Sequence, residues 1–162
     1  MKKKYQFMII ILGVILVIIL SLAIIIPNND SLKYKDDNYG FNYSSNFSVS
    51  LEDGSYIVRE KEGNTEIIIR VLNNDYKKSV SNEDRANLIS KDMVTEDYEK
   101  VSANCLDTFC MNVYENDEKH ITITTRFMNK DIYVYRLICD KDKSELYNED
   151  FDLIINSFVK IK

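Results

Sequence analysis

The longest hydrophobic pattern in the chain is an apolar run near its start. In Phe7–Ile26 only Gly13, Ser21 and Ala23 are not strongly apolar. A helix of this length, at about 1.5 Å rise per residue, spans a hydrocarbon core of roughly 30 Å. The run is longer than the roughly 7–15 apolar residues of a signal peptide and lacks a small-residue cleavage site at its end. The pattern therefore predicts an uncleaved transmembrane anchor, which with its short tip occupies residues 1–26.

The residues that flank the apolar run predict its orientation. Lys2, Lys3 and Lys4 precede it directly, and positively charged flanks stay in the cytoplasm. Pro27 ends the helix because it lacks a backbone donor. Residues 27–38 are polar, charged and without pattern, which predicts a flexible linker. We therefore expect a single-pass protein of the plasma membrane whose domain, residues 39–162, lies outside the cytoplasm.

Alternating apolar residues follow the linker and predict strands. Phe47, Val49 and Leu51 alternate with serines, and Asp53-Gly54 marks a turn. Two further β-branched stretches, 56–61 and 65–72, are separated by a segment that contains Gly63, which predicts a hairpin. Four more strands are predicted near 98–105, 110–115, 120–128 and 132–139.

Two segments carry a helical period instead. Ser81 is a suitable N-cap for a helix in which Ala86, Ile89 and Met93 recur on one face. A second apolar stripe over residues 144–158 predicts a closing helix. Short loops between strands favour antiparallel pairing, so the fold class is α+β, an antiparallel sheet flanked by helices.

Charge narrows the set of partners. All 26 acidic residues but only 18 of the 21 basic residues follow Pro27, which leaves this part of the chain with a net charge of about −8. Nucleic acids and anionic lipid surfaces attract basic proteins, so neither is expected as a ligand of the domain. Some 130 residues form one domain rather than two.

The two ends of the predicted domain resemble PsbP-like (Mog/PsbP/DcrB-type) domains. The segment Tyr39-Gly40-Phe41 with Tyr43, Phe47 and Val49 is similar to their opening, and Ile154-Ile155 with Ser157-Phe158 is similar to their closing motif. Ser44 stands where the family pattern has proline. The resemblance implies an α/β/α sandwich that serves as a docking or stabilising module, without a shared catalytic activity.

Catalytic and metal-binding patterns are absent from the sequence. His120 is the only histidine, and it is predicted on the polar side of a strand without a nucleophile motif. The three cysteines lack the paired spacing of a zinc site. We therefore predict no enzyme, no cofactor and no catalytic, cofactor-binding or metal-binding residue.

The cysteines leave two alternatives open. Cys105 and Cys110 bracket a four-residue connection between two predicted strands, and residues opposite each other across a hairpin come close enough for a disulfide after modest adjustment. They are either a disulfide formed in an oxidising exterior or two unpaired thiols. Cys139 is expected to be a lone buried thiol if it lies on the opposite face from Cys110.

Two functions are the main hypotheses, and a hydrolase stays open as a third only because acidic residues and serines are plentiful. The first is a membrane-anchored, non-catalytic interaction module of the cell envelope, bound to the bilayer through Phe7–Ile26 and to an envelope protein through a polar strand face. The residues of that candidate interaction face are Asn112, Tyr114, His120, Thr122, Thr124 and Arg126. The alternative is an anchored sensor or carrier of a small ligand, which requires an apolar pocket of about 300 Å³ or more between sheet and helix.

Overall fold

The computed structural model describes residues 31–76 and 78–161. In this range the strands are interrupted by two α-helices and one 3₁₀ helix. The strands are β1 (Ser31–Lys35), β2 (Tyr39–Ser44), β3 (Phe47–Glu52), β4 (Ser55–Glu60), β5 (Glu66–Asn73), β6 (Glu99–Leu106), β7 (Phe109–Glu115), β8 (Lys119–Phe127), β9 (Asp131–Asp140) and β10 (Val159–Lys160). The helices are α1 (Asn82–Lys91), a 3₁₀ helix (Lys141–Tyr147) and α2 (Asn148–Ser157).

Seven of the strands form one antiparallel sheet. Their order across it is β3-β4-β5-β9-β8-β7-β6, and each neighbouring pair is antiparallel. A separate sheet of three strands has the order β1-β2-β10. The predicted antiparallel α+β fold with flanking helices is confirmed, and the described residues from Leu32 onward form one compact unit.

The tightest turn of the sheet joins β3 to β4. Asp53 and Gly54 both have positive φ, 48° and 74°, as a two-residue hairpin turn of type I′ requires. Glu52 and Ser55 close the turn as a direct pair. This turn fixes the register that places Phe47 and Val49 on the same side as Val58.

Helix α1 covers one face of the sheet at the β7–β8 side. The Ser81 hydroxyl accepts a hydrogen bond from the Asp84 amide at 3.1 Å, so the predicted N-cap is confirmed. The apolar side of the helix packs against β7 and β8. The resulting α1 core consists of Ala86, Ile89, Met93, Cys110, Tyr114, Ile121, Ile123, Phe127, Ile132 and Val134.

Helix α2 covers the opposite face at the β4–β9 side. The predicted closing helix starts later than expected, since residues 141–147 form the 3₁₀ helix and α2 begins at Asn148. The resulting α2 core consists of Phe41, Phe47, Tyr56, Val58, Ile67, Ile69, Tyr133, Tyr135, Leu137, Cys139, Phe151, Ile154, Ile155 and Phe158.

The two family-like motifs meet in the small sheet. Val159 pairs with Gly40, and the Ser157 hydroxyl accepts a hydrogen bond from the Asn42 amide at 2.8 Å. A side chain at Gly40 would approach the Tyr34 carbonyl oxygen to 3.3 Å, so the close approach of β1 favours glycine there. The opening and closing segments of the domain are therefore one packed unit.

The predicted linker, residues 27–38, requires a correction. Its residues 31–35 form strand β1, and Tyr34 stacks on Phe41 with ring centroids 5.1 Å apart. The Asp36 carboxylate accepts hydrogen bonds from the Asn38 and Tyr39 amides and closes the turn into β2. Tertiary aromatic packing orders a segment whose composition predicts a coil.

The predicted anchor Phe7–Ile26 lies outside the described residues. Between residues 31 and 161, apart from residue 77, we find no helix with the length and apolar character needed to span a bilayer.

Candidate functional site

The two helices cover diagonally opposite halves of the seven-stranded sheet. One half of each face is consequently left without a helix. Because side chains alternate between the faces of a strand, the pairing register assigns each residue to one of these four quarters. The two uncovered quarters differ in chemistry, and each is a candidate binding surface.

The uncovered quarter beside α1 is charged and internally paired. It lies over β3, β4 and β5, where the Arg59 guanidinium bonds Glu52 at 2.7 Å and Glu66 at 2.9 Å, and Arg136 lies 3.4 Å from Glu66. Hydrogen bonds from Arg59 and then Ser50 lower the pKa of Glu52 to about 2. We call Glu52, Arg59, Glu66 and Arg136 the charged ladder. Since its charges already have partners, this surface is suited to contact with water.

The uncovered quarter beside α2 is apolar. Cys110, Asn112 and Tyr114 of β7 point toward α1, so Phe109, Met111 and Val113 point the other way. Their partners on β6 are Leu106, Asn104 and Ser102, respectively. We call these six residues the open face. Leu106 is 68% exposed and the three β7 side chains are half-buried, which makes this quarter the candidate binding surface.

The six residues of the interaction face predicted from the sequence do not share one face of the sheet. That prediction is therefore wrong. Asn112 and Tyr114 pair with Ile123 and Ile121 and point into the α1 core. The Asn112 amide donates a hydrogen bond to the Ser90 hydroxyl of α1 at 2.9 Å. These two side chains attach the helix to the sheet and are unavailable to a partner.

The other predicted face residues lie on the α2 side but are mostly covered. Thr122 is 7% exposed and Thr124 is fully buried. Arg126 is half-buried and donates to the Ile155 carbonyl of α2 at 2.9 Å. The polar alternation along β8 therefore marks the seam between the sheet and α2, and the exposed surface begins one strand further out.

His120 completes a hydrogen-bonded chain across β7 and β8. Its Nδ1 lies 3.0 Å from Glu115 Oε1, and its Nε2 lies 2.9 Å from the Thr122 hydroxyl. Lys141 bonds the second Glu115 oxygen at 2.8 Å and, followed by His120, lowers the pKa of Glu115.

This order of carboxylate, imidazole and hydroxyl is that of a catalytic triad. The three residues are, however, ordinary neighbours in the sheet, since Glu115 pairs with His120 and Thr122 is two residues further along the strand. The low exposure of Thr122 leaves its hydroxyl little access to a substrate. The arrangement fixes the imidazole at the edge of the open face.

The cysteines of the β6–β7 hairpin are bonded in the structure. Cys105 and Cys110 are a directly opposed pair and form a disulfide. The bond lies on the α1 side, next to the exposed Leu106. It joins the two strands that carry the open face.

The third cysteine is on the other side of the sheet. Cys139 is a buried free thiol in the α2 core, and burial raises its pKa to about 11. A thiol with this pKa is protonated at neutral pH and is a poor nucleophile. It has the character of a core residue.

Acidic depressions lie at both ends of β6. One, of about 290 Å³, is lined by Asp97, Glu99, Val101, Glu115, Asn116, Asp117 and Lys141. The other, of about 540 Å³, is lined by Asn82, Glu83, Cys105, Leu106 and Asp107. Lys141 is the one base among these lining residues, so negative charge predominates at both ends of the strand.

The cavity between α1 and the sheet is small. It has a volume of about 150 Å³ and lies between Ile89 and Met93 of the helix region and Leu72 and Val134 of the sheet. A small-ligand carrier requires about 300 Å³ or more, so this cavity is half of what that function needs. Within residues 31–161, residue 77 excepted, no three His, Cys, Asp or Glu side chains are arranged to hold a metal ion.

The open-face residues were missed at the sequence level. The available signal was β7, where Phe109, Met111 and Val113 alternate with Cys110 and the buried residues that follow. A strand with large side chains on both faces predicts contacts on both sides. In this structure only one of those contacts is made within the described chain.

Solved structures are similar to this chain, whereas no protein-family profile matches it and no curated protein matches it. The solution structure of cyanobacterial PsbP (CyanoP) from Synechocystis sp. PCC 6803 aligns with a TM-score of 0.59 at 17% identity, covering 83% of this chain and 95% of that one. A crystal structure from Bacteroides thetaiotaomicron VPI-5482 aligns with a TM-score of 0.53 at 13% identity, covering 82% of this chain and 49% of that one. At these identities the likeness shows the fold, which is PsbP-like.

Proposed function

We propose that this protein is a non-catalytic binding module of the cell envelope, anchored by Phe7–Ile26, whose domain binds another protein through the open face. The observation that carries the proposal is the 68% exposure of Leu106 on a sheet face lined by Phe109 and Met111. The reverse face of β7 packs against α1, so the same strand is covered on one side only. Apolar side chains gathered on an open face are typical of a site that a partner covers.

The chemistry of the open face supports a protein as the partner. Phenylalanine and methionine, which protein interfaces favour, lie beside Asn104 and Ser102, which can bond a polar rim. The net charge of about −8 after Pro27 disfavours nucleic acids and anionic membranes. On the other uncovered quarter, the residues of the charged ladder are already paired with one another. A partner would therefore add fewer new charge contacts there.

The location of the domain is supported by the sequence. The apolar length of Phe7–Ile26 and the three lysines before it support an anchor with the domain outside the cytoplasm. The Cys105–Cys110 disulfide is compatible with an oxidising exterior. Protease added to intact cells should remove the domain; protection of the domain while a known external marker is cut would contradict this topology.

Site-directed photocrosslinking in the native host tests the binding surface. A photoreactive phenylalanine analogue replaces Met111 on the open face and, as the matched control, Ser48 on the charged side of the sheet. We expect one defined crosslinked protein from position 111 and none from position 48. Leu106→Ser should reduce the yield at position 111, because it removes the most exposed apolar side chain of the open face and retains the disulfide.

Identification of the crosslinked protein completes this test. Mass spectrometry of the adduct should locate the reacted segment in that protein, and a charged substitution in the segment should remove the adduct. Equal crosslinking from positions 48 and 111, or an adduct that Leu106→Ser does not change, would contradict the open face as the binding surface.

A further inference from the structure

β6 is the terminal strand of the seven-stranded sheet and pairs with β7 alone among the described strands. An edge strand has a row of backbone donors and acceptors that point away from the sheet. Which residues of β6 carry them follows from its hairpin with β7. The connection has two residues, Asp107 and Thr108, and is closed by the Leu106–Phe109 pair. The ends of such a β-turn exchange a hydrogen bond, so the next pair, Cys105–Cys110, does not.

The distance between the strands agrees with this assignment. The Cα atoms of Cys105 and Cys110 are 4.1 Å apart. Opposed residues in an antiparallel pair lie about 4.5 Å apart without mutual hydrogen bonds and about 5.5 Å apart with them. The N–H and C=O groups of Cys105 therefore point outward, and by alternation so do those of Ala103. Both residues are within the regular register between the bulge near Val101 and the turn.

The second half of β6 lacks the features that usually prevent another strand from pairing with an edge strand. Natural edge strands are protected by lysine, proline, a bulge or short length. Lys100 and the bulge between Lys100 and Ser102 occupy the first half of β6, and the Lys100 ammonium is engaged by Asn87 at 2.7 Å. The second half, Ser102–Leu106, is uncharged and free of proline. Its one strongly apolar open-face side chain is Leu106.

Charge at the two ends of β6 indicates what fits beside it. Asp97, Glu99 and Asp117 lie in the depression at its start, where Lys141 is engaged by Glu115. Glu83 and Asp107 lie in the depression at its end. A strand laid along β6 places its own ends beside these carboxylates. Basic residues at both ends would complement them, whereas a second copy of β6 would bring the same acids into apposition.

We propose that β6 accepts an extended segment of the partner protein as an eighth strand, with basic residues at both ends of the segment. This inference rests on the proposed function and adds the mode of binding. Backbone hydrogen bonds to Ala103 and Cys105 supply the pairing, and alternate apolar side chains of the segment extend the open face beyond Leu106.

Peptide binding to the full chain in lipid nanodiscs tests the mode of binding. The probe is a fluorescent peptide of three Val-Thr repeats flanked by lysine pairs, measured by anisotropy at low salt. One matched peptide has glutamates in place of the lysines, and another carries N-methyl groups on alternate backbone amides. We expect the lysine peptide to bind, and each matched peptide to bind at least about tenfold more weakly, the effect of losing one or more good hydrogen bonds or charge contacts.

Variants of the protein provide a second measurement. Ala103→Pro removes the outward N–H and should weaken the lysine peptide about tenfold, whereas Ala103→Thr retains it and should bind as the parent does. Glu99→Lys should weaken the same peptide and strengthen the glutamate peptide. Glu62→Lys, which makes the same change of net charge in the β4–β5 turn, should alter neither. Thermal melts verify that each variant is folded.

The outcomes separate this inference from the proposed function. Equal binding of the N-methylated and parent peptides would overturn strand addition, even if Ala103→Pro failed to fold. A concentration-dependent dimer that Ala103→Pro dissolves would assign the edge to a second copy and also overturn it. If strand addition fails while the crosslink at position 111 persists, the open face remains the binding surface; loss of that crosslink refutes the proposed function itself.

Discussion

The rings of Tyr39 and Phe158 stack with centroids 5.2 Å apart and planes 19° from parallel. Phe158 also contacts Phe41, Tyr56, Tyr133 and Tyr135 edge-on or stacked. One residue thus joins the small sheet, α2 and the centre of the large sheet. The pair physically links the first and last motifs of the domain.

Phe158→Ala is expected to lower the free energy of unfolding by about 3–5 kcal/mol, the usual cost of removing a buried phenylalanine. The ring is 5% exposed and its loss leaves a cavity among four tyrosines. Denaturant unfolding measures the change. Val159→Ala is the matched control, because Val159 is adjacent and 54% exposed. A loss of similar size in both variants would contradict the central position of Phe158.

Asn112→Ala is expected to cost about 1 kcal/mol of stability, since it removes the hydrogen bond that the Asn112 amide donates to the buried Ser90 hydroxyl. A double-mutant cycle with Ser90→Ala measures the coupling between the two side chains. Asn104→Ala, on the exposed side of the neighbouring strand, should change stability little. Zero coupling would refute the attachment of α1 to β7 through this pair.

Reduction of the Cys105–Cys110 disulfide is expected to lower stability by about 2 kcal/mol, the chain-entropy value for so short a loop. Unfolding of the parent protein with and without dithiothreitol measures this value. The double variant Cys105→Ser/Cys110→Ala, which places no hydroxyl in the α1 core, should be insensitive to the reductant. A parent protein that does not respond to reductant would show that the two sulfurs are unbonded in solution.

Asp150→Asn is expected to stabilise the protein near neutral pH. Burial raises the pKa of Asp150 above its ordinary value, so the folded state resists its ionisation. The folded state then binds more protons than the unfolded state between the two pKa values, and stability declines as pH rises through this window. Above the folded pKa the penalty is complete, and at pH below the unfolded pKa it is absent.

The stabilising effect of Asp150→Asn should therefore disappear at acid pH, measured as the difference in denaturation midpoint between variant and parent. Asp152→Asn is the control, because Asp152 is exposed on the same helix. A gain that is constant from acid to neutral pH would show that charge burial is not its cause.

Local patterns predicted most of the large sheet and the start of α1. Alternation, the Asp53-Gly54 turn and the Ser81 cap act between near neighbours in sequence, so their consequences are visible in the chain itself. Strand β1 was missed because its order depends on Tyr34 contacting distant aromatic rings. Propensity carries no information about such contacts.

The open face, our candidate binding surface, was less accessible to prediction for a different reason. Alternation shows which residues of one strand share a side, but it does not relate the sides of two strands. Asn112 and Thr124 look equivalent in sequence, yet Asn112 pairs with Ile123 and Thr124 with Met111, on opposite faces. Which face a helix covers is likewise a tertiary property. The disulfide, by contrast, depends on one hairpin. The spacing of Cys105 and Cys110 in the sequence therefore indicated that the two residues could lie opposite each other.

Strand β9 belongs to both cores at once. Ile132 and Val134 point into the α1 core, while Tyr133, Tyr135 and Leu137 point into the α2 core. Two hydrophobic cores joined through one backbone cannot melt independently, since fraying of either withdraws support from the strand they share. Because both cores depend on β9, the diagonal arrangement favours unfolding of the domain as one cooperative unit.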